Sequence, residues 1–299
     1  MPSPDLGSDR MLRRTLAWPA LLFVALFFFV PIALLARVSL YEGGGRSGFG
    51  IGGLYVPASW STDAYRNLLG DGYFWELLSF TLRFGLAAAV ISVLLGFGLA
   101  LLIVRLSPTA RLLALCAVFL PKLANVLVIV YGLVLLLGDY GPVNQLLAPL
   151  RGEGAQPLAL LHNFTGALIG EVYLILPYAV LLMVATLDRI PPLLLPAARG
   201  LGAGRLETFR RVTLPLCLPG LATTFLLCLI FGIGAYVAPT ILGSPDEFTL
   251  SIDIQRQTFE NLNWPRAAAE SVMMLVCVGA LCATYGLGVA GVRRIRATT

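Results

Sequence analysis

Four long stretches without a charged residue constrain the fold of this chain more than any other feature. They run between Arg14 and Arg37, between Arg83 and Arg105, between Arg211 and Asp246, and between Glu270 and Arg293. Each exceeds the roughly 18 residues that a helix needs to cross a bilayer. Two further apolar stretches carry one charge each, Lys122 within 112–137 and Glu171 within 164–187. The sequence therefore predicts an all-α membrane protein with six transmembrane helices.

Composition agrees with this class and excludes an ordinary soluble protein. Hydrophobic residues make up 58% of the chain and charged residues only 12%. We expect a cytoplasmic lead at 1–14, a transmembrane domain at 15–292 with a cytoplasmic loop at 188–217, and a cytoplasmic tail at 293–299. The six spans are predicted at about 16–37, 80–104, 112–137, 164–187, 218–242 and 270–292.

The distribution of arginine predicts the orientation. If both termini are cytoplasmic, the inner segments hold 13 of the 21 lysines and arginines. Cytoplasmic loops of membrane proteins carry an excess of these residues. The loop at 188–217 is therefore expected on the inner side.

Within the apolar sequence, the segment from Pro196 to Pro219 is unusually polar. Proline suits the first turn of a helix, so a short helix is expected to begin near Pro196. Gly202-Ala203-Gly204 then allows a sharp bend. A second short helix should place Leu206, Phe209 and Val212 on one face, pair Glu207 with Arg210 and Arg211, and end at Thr213-Leu214-Pro215.

This pattern resembles the signature loop of transmembrane subunits of ATP-binding cassette importers, which reads Glu-Ala-Ala, three residues, Gly, then a spaced Phe, a β-branched residue and Leu-Pro. The departure is Pro196, which stands where the family usually has Glu. The resemblance implies a type I importer permease fold and an ATPase-coupling role for the matching residues and Leu206. The matches are Ala197, Ala198, Gly202, Ala203, Phe209, Val212, Leu214, Pro215 and Pro219.

Two outer segments resemble the permeases of polyamine importers in particular. One is 236–243, and the other is 263–269, where Asn-Trp-Pro-Arg-Ala-Ala-Ala is similar to the Asp-Trp-Pro-x-Gly-Ala-Ala of those permeases. This implies a polyamine or similar small organic cation as substrate. Importers of iron, thiamine or aminophosphonates share much of the pattern, so these substrates stay open.

Residues for ATP hydrolysis or other catalysis are not expected here. Lys122 is the only lysine and follows Pro121, so the chain has no Gly-Lys-Ser/Thr phosphate loop. His162 is the only histidine, which argues against a zinc protease motif and a Ser-His-Asp site. We expect no catalytic residue, metal or cofactor in this chain.

The resemblance implies several partners in the bacterial cytoplasmic (inner) membrane. A cytoplasmic ATPase dimer would bind ATP and Mg, a second homologous permease would form a heterodimer with this chain, and a periplasmic or extracellular binding protein would deliver the substrate. Membrane lipid surrounds the spans, and no nucleic acid is involved. The alternative is an ion-coupled secondary transporter, in which an intramembrane acid such as Glu171 would bind the coupling ion.

Lys122 and Glu171 are both expected near mid-depth of the membrane, where an unpaired charge is costly. One interpretation is an ion pair that only joins the third and fourth spans. The other is that Glu171 faces the translocation path and meets a cationic substrate, with Lys122 as its resting counter-ion. Further candidates along the path are Asn125, Tyr131, Tyr173 and Tyr236.

The second span contains Gly85, Gly96 and Gly98. Small residues allow membrane helices to approach each other closely. We therefore expect other helices to pack against this span at these three positions.

Overall fold

The computed structural model describes residues 6–41, 60–151, 156–244 and 248–298. Within these ranges the chain is mostly helical and forms no strand beyond an isolated bridge between Tyr41 and Trp60. The helices of the first half are α1 (Leu6–Val38), α2 (Asp63–Gly70), α3 (Gly72–Ile103), α4 (Pro108–Phe119), α5 (Val126–Leu137) and α6 (Pro142–Arg151). Those of the second half are α7 (Phe164–Asp188), α8 (Leu194–Gly200), α9 (Arg205–Thr208), α10 (Leu214–Ile233), α11 (Val237–Leu242), α12 (Leu250–Phe259) and α13 (Trp264–Thr298).

The described residues contain six helices that are long and apolar enough to cross a membrane, which confirms the predicted number. They are Leu21–Val38, Gly72–Ile103, Val126–Leu150, Phe164–Asp188, Arg205–Ile233 and Trp264–Gly288. The range Val126–Leu150 contains α5 and α6, and Arg205–Ile233 contains α9 and α10. The all-α architecture follows from these apolar segments, because a chain in lipid must satisfy its backbone hydrogen bonds within each helix.

Two predicted spans are interrupted rather than continuous. The third is divided into α4, a 3-10 turn at Leu120–Leu123, and α5. Pro121 lies in this turn, and proline cannot supply the N–H that a continuing helix needs. The fifth, predicted at 218–242, ends as a long helix at Ile233 and resumes as α11 after Gly234.

The chain divides into two compact units, and the larger consists of Gly72–Asp253 with the residues from Val276 onward. Its centre is formed by α3, α7 and α10. The buried residues at one end of this centre are Ala100, Ile103, Val180, Met183, Val184, Leu187 and Cys217. The close fit of the three helices depends on small residues.

Two of the three predicted glycine contacts are present. A methyl group added at Gly96 would lie 2.7 Å from the Cβ of Ala179, and one added at Gly85 would lie 2.9 Å from the backbone nitrogen of Ile233. Gly96 therefore lets α3 approach α7, and Gly85 lets it approach α10. Gly98 contacts no other helix among the described residues of this chain, because none of their atoms lies within 4 Å of its Cβ position.

The smaller unit comprises the described residues up to Asp71 together with Ile254–Leu275. Within it, Val38 and Tyr41 pack with Ala268 of α13. The guanidinium of Arg266 donates to Asp71 at 2.8 Å and to Glu270 at 3.0 Å. Arg266 thus joins the end of the α2 segment to the first turns of α13.

Candidate functional site

The segment predicted to couple to an ATPase begins with α8, and its end is determined by Gly202. The backbone of Gly202 has φ of +88°, in the left-handed region that favours glycine. The amide of Gly202 donates to the carbonyl of Arg199 at 3.0 Å, and that of Ala203 donates to Ala198 at 3.1 Å. These two bonds define a Schellman motif, which ends a helix and reverses the chain. Gly202 is therefore required here by backbone geometry.

The second half of the segment begins at Gly204, which is extended and precedes α9. Thr208 donates from its hydroxyl to the carbonyl of Gly204 at 2.9 Å. Glu207 pairs with Arg211 at 3.1 Å across one helical turn, as predicted, whereas no ion pair to Arg210 is present.

The expected end of this helix at Thr213-Leu214-Pro215 is wrong. A π turn at Phe209–Thr213 continues directly into α10, and the amide of Leu214 donates to the carbonyl of Phe209. Pro215 has no N–H to donate to Arg211, and its ring would crowd that carbonyl in a regular helix. A wider turn removes the conflict, so the segment is continuous with the fifth span.

Phe209 fixes the segment to the helical core. Its ring centroid lies 6.1 Å from that of Phe97 on α3. Thr208 and Thr213 are buried on either side of it. Phe209 thus packs the segment against α3 directly before the chain continues into α10.

Leu206 does not share a buried face with Phe209 and Val212. Its side chain is 70% exposed, whereas those of Phe209 and Val212 are partly buried. The tip of the bend, Leu201, is 90% exposed. Leu201 was missed in the sequence analysis, although a large apolar residue directly before a glycine bend is an indication of a contact surface.

The remaining matched residues lie along the same segment. Ala197 in α8 is exposed and Ala198 is half-buried. Leu214, Pro215 and Pro219 belong to the first turns of α10. Their role in coupling stays a prediction.

Lys122 lies in the 3-10 turn that interrupts the third span. Its Nζ is 4.9 Å from the ring centroid of Tyr178 on α7, a cation–π distance. Tyr178 in turn stacks on Phe231 of α10 with centroids 5.3 Å apart and contacts the edge of Phe119. Sequence analysis missed this aromatic partner, because the ring and the lysine are distant in the chain.

Glu171 is buried in α7, with 6% of its surface exposed. It attracts Lys122 electrostatically. The two do not form an ion pair within 4.0 Å, however, since the ion pairs among the described residues lie elsewhere. The ion pair that would only join the third and fourth spans is therefore not formed in this structure.

Tyr173 is the candidate that the structure brings together with Lys122. Both line a cavity of about 140 Å³ that is otherwise apolar and is bounded by Pro121 and Pro177. The side chain of Tyr173 is 40% exposed.

The other candidates along the path have different surroundings. Asn125 caps α5, where its side-chain oxygen accepts from the amide of Leu127 at 2.9 Å. Tyr131 is an exposed residue of α5, and Tyr236 precedes α11. A path-lining role of these three residues stays a prediction.

Comparison with known proteins agrees with this geometry. Residues 92–290 match the family described as binding-protein-dependent transport system inner membrane component. The spermidine/putrescine transport system permease protein PotB of Escherichia coli K12 is 28% identical over 263 residues, covering 88% of this chain and 92% of that protein. PotB of Haemophilus influenzae is 30% identical over 271 residues, covering 89% and 91%.

A solved structure extends the comparison to the fold. The bacterial alginate ABC transporter in complex with alginate pentasaccharide-bound periplasmic protein contains a chain with a TM-score of 0.72, 18% identity and 94% coverage of both chains. The predicted importer permease fold is confirmed. The relatives are transport subunits, which agrees with the expectation that this chain is not itself an enzyme.

These matches cover the helical core and the segment from Pro196 to Pro219, and they indicate a multi-pass protein of the bacterial inner membrane. The chain belongs to the family of binding-protein-dependent transport system inner membrane components.

Proposed function

We propose that this chain forms half of the translocation path of an ATP-binding cassette importer and couples to a cytoplasmic ATPase through residues 196–219. The observation that carries the proposal is the bend at Gly202, which presents an exposed tip directly before α9, and α9 is continuous with the fifth span. A force on α9 is transmitted to α10, since α9 runs through the π turn into α10 without a loop between them. A rigid-body change between two packed states follows from such a connection.

The exposed leucines of the segment support a protein partner on this surface. Leu201 is 90% exposed and Leu206 70%. Exposed apolar groups that are surrounded by polar residues are typical of interaction sites. We propose that the segment lies on the cytoplasmic side with both termini, because an excess of arginine favours that side.

The substrate we propose is a polyamine or similar small organic cation. The face of Tyr178 already accepts an ammonium group, that of Lys122, and the buried carboxyl of Glu171 lies two turns away on the same helix, α7. An aromatic face and an ionised carboxylate each stabilise an organic cation. The two PotB relatives are named for spermidine and putrescine transport, which favours this substrate class over iron or thiamine.

The remaining partners follow from the family description. A binding-protein-dependent system requires an external binding protein, and a second homologous permease completes the path, for which we propose a heterodimer. ATP and Mg are bound by the ATPase. The transport cycle then needs no cofactor in this chain.

Coupling is tested by replacing Leu201 with Asp and, as a matched control, with Met. The chain is expressed with its ATPase and second permease, and the ATPase that co-purifies is quantified. Leu201→Asp should reduce the amount by about tenfold or more, whereas Leu201→Met retains the apolar contact and should match the wild type. If the same amount of ATPase co-purifies with both variants, the proposed contact surface is contradicted.

The substrate is tested by uptake into proteoliposomes that contain the assembled importer and its binding protein. Labelled spermidine should enter only with ATP, and unlabelled putrescine should compete. Competition by thiamine, ferric iron or aminophosphonates but not by polyamines contradicts the substrate. Uptake without ATP that an ion gradient drives contradicts the importer class.

A further inference from the structure

A second cavity, of about 690 Å³, lies between the ends of α3 and α7 and the coupling segment. Three arginines from three elements line it: Arg105 follows α3, Arg199 belongs to α8 and Arg205 begins α9. Much of the remaining lining is apolar, including Leu101, Val104, Leu187, Ile190, Leu195 and Phe209. The cavity therefore combines positive charge with an apolar wall.

The positive charge of this cavity is not neutralised within the described residues. Asp188 is the one acid in its lining, and it forms an ion pair with Arg111, which lies outside the lining. No ion pair of the described residues involves Arg105, Arg199 or Arg205. Three arginines that line one space attract an anion, and guanidinium groups bind phosphate with two parallel hydrogen bonds.

A shallow apolar groove on the outer surface of α3 adjoins the cavity. The groove has a volume of about 460 Å³ and shares Leu101 and Arg105 with the cavity. Its other residues are Leu94, Leu95, Gly98, Leu99 and Leu102. Gly98 leaves its floor open, since no atom lies within 4 Å of its Cβ position. A groove of this kind suits a hydrocarbon chain.

We propose that the cavity and groove together bind an anionic phospholipid of the cytoplasmic leaflet. The phosphate of the headgroup lies among Arg105, Arg199 and Arg205, and one acyl chain lies along the groove past Gly98. The charge selects anionic over zwitterionic lipid, and the groove selects a lipid over free phosphate. This inference uses the cytoplasmic placement of the segment proposed above.

Such a lipid joins the end of α3 to both halves of the coupling segment. Arg199 and Arg205 lie on opposite sides of the Gly202 bend. A headgroup bound to both holds the two short helices at a fixed angle. Anionic lipid therefore stabilises the segment in the form that its ATPase partner meets.

The test measures bound lipid on the purified importer, without ATP or substrate, so that its result does not depend on the transport activity. The complex is titrated with phosphatidylglycerol or phosphatidylcholine, and the bound lipid is counted by native mass spectrometry. The double variant Arg105→Gln, Arg199→Gln is compared with the control Arg210→Gln, Arg211→Gln, which removes two arginines of the same region that do not line the cavity. The Arg105, Arg199 double variant should bind phosphatidylglycerol about thirtyfold more weakly than the wild type does. The affinity of the control should be within about twofold of that of the wild type.

Gly98→Phe separates the lipid from a soluble anion. It fills the groove, keeps all the arginines and points into open space, so it tests the site even if the arginine variant does not accumulate. It should reduce phosphatidylglycerol binding about tenfold or more and leave binding of inorganic phosphate unchanged.

Three results overturn the proposal. Equal binding of the two lipids excludes selection by charge. Unchanged phosphatidylglycerol binding in Gly98→Phe indicates a site for the phosphate group without an acyl chain. An equal loss in the Arg210, Arg211 control indicates general attraction to a basic surface.

Discussion

The helical core and the segment at residues 196–219, for which we propose the coupling role, both depend on glycine, but for opposite reasons. In the core, Gly96 is needed because a side chain there would occupy the space of Ala179. In the segment, Gly202 has open space around its Cβ position and is needed because its φ is +88°. The first glycine serves packing between two helices, and the second serves the shape of one chain.

We therefore expect a substitution in the core to lower the stability of the protein, and a substitution at the bend to impair the coupling that we propose. A substitution in the core changes the contact of α3 with α7, on which the larger unit depends. A substitution at the bend changes the direction of an exposed segment while the core beneath it keeps its contacts. The two regions should therefore respond differently to the same chemical change.

The largest effect is expected from Gly96→Leu. The Cβ would lie 2.7 Å from that of Ala179, and neither helix backbone can move away without loss of other contacts. The cost should be about 3 kcal/mol, and little folded protein should reach the membrane. Protein level and melting temperature in detergent measure this.

Gly98→Leu is the matched control, since it lies two residues further along the same helix in open space. It should accumulate like the wild type, because Leu also favours a helix over Gly. If Gly96→Leu accumulates as well as Gly98→Leu, the close approach of α3 to α7 is not needed for folding.

At the bend, Gly202→Asp should leave the protein level unchanged but reduce uptake by about tenfold or more. The left-handed backbone costs roughly 1–2 kcal/mol for a residue with a side chain, so the segment adopts another shape instead. Uptake and substrate-stimulated ATP hydrolysis are measured together, because uncoupling affects both.

Gly204→Asp adds the same charge at a residue with φ of −67° and nothing within 4 Å of its Cβ position. Aspartate is also favoured directly before a helix, as Gly204 is before α9. This control should keep near-normal uptake. If both variants lose uptake equally, charge rather than backbone shape is responsible.

The two regions also differ in how much the sequence could predict. The six spans followed from runs of apolar residues, and the bend followed from Gly202 because a glycine between short helices is a local signal. The π turn was missed, since Pro215 predicts a disturbed helix but not how the backbone accommodates it. The contact of Lys122 with Tyr178 was missed as well, because it depends on the packing of α7 against the interrupted third span.

That contact leads to the third prediction, a pair of double-mutant cycles. In Lys122→Met with Tyr178→Leu, the two losses of stability should couple by about 1 kcal/mol, since the ammonium lies over the ring. In Lys122→Met with Glu171→Gln, the coupling should be smaller, because these charges do not form an ion pair within 4.0 Å. Thermal unfolding in detergent gives both values.

Uptake assays of the same variants address the role of Glu171. If Glu171 meets the substrate, Glu171→Gln should lose uptake, and Lys122→Met with Glu171→Gln should not regain it. Recovery of both stability and uptake in that double variant indicates a structural pair. A coupling energy of Lys122 with Glu171 that is larger than that of Lys122 with Tyr178 contradicts the arrangement in this structure.

The smallest effect is expected at Asn125, where a structural role and a role in transport can be separated. Its side-chain oxygen accepts from the amide of Leu127 and so caps α5. Asn125→Ala loses this acceptor and should cost about 1 kcal/mol, whereas Asn125→Asp keeps it and should retain stability.

If capping is the whole role of Asn125, uptake follows stability, and Asp restores both. If Asn125 also contacts a cationic substrate, Asp keeps the helix but changes the apparent affinity for the cation. An alanine variant as stable as the wild type shows that the start of α5 does not depend on this cap.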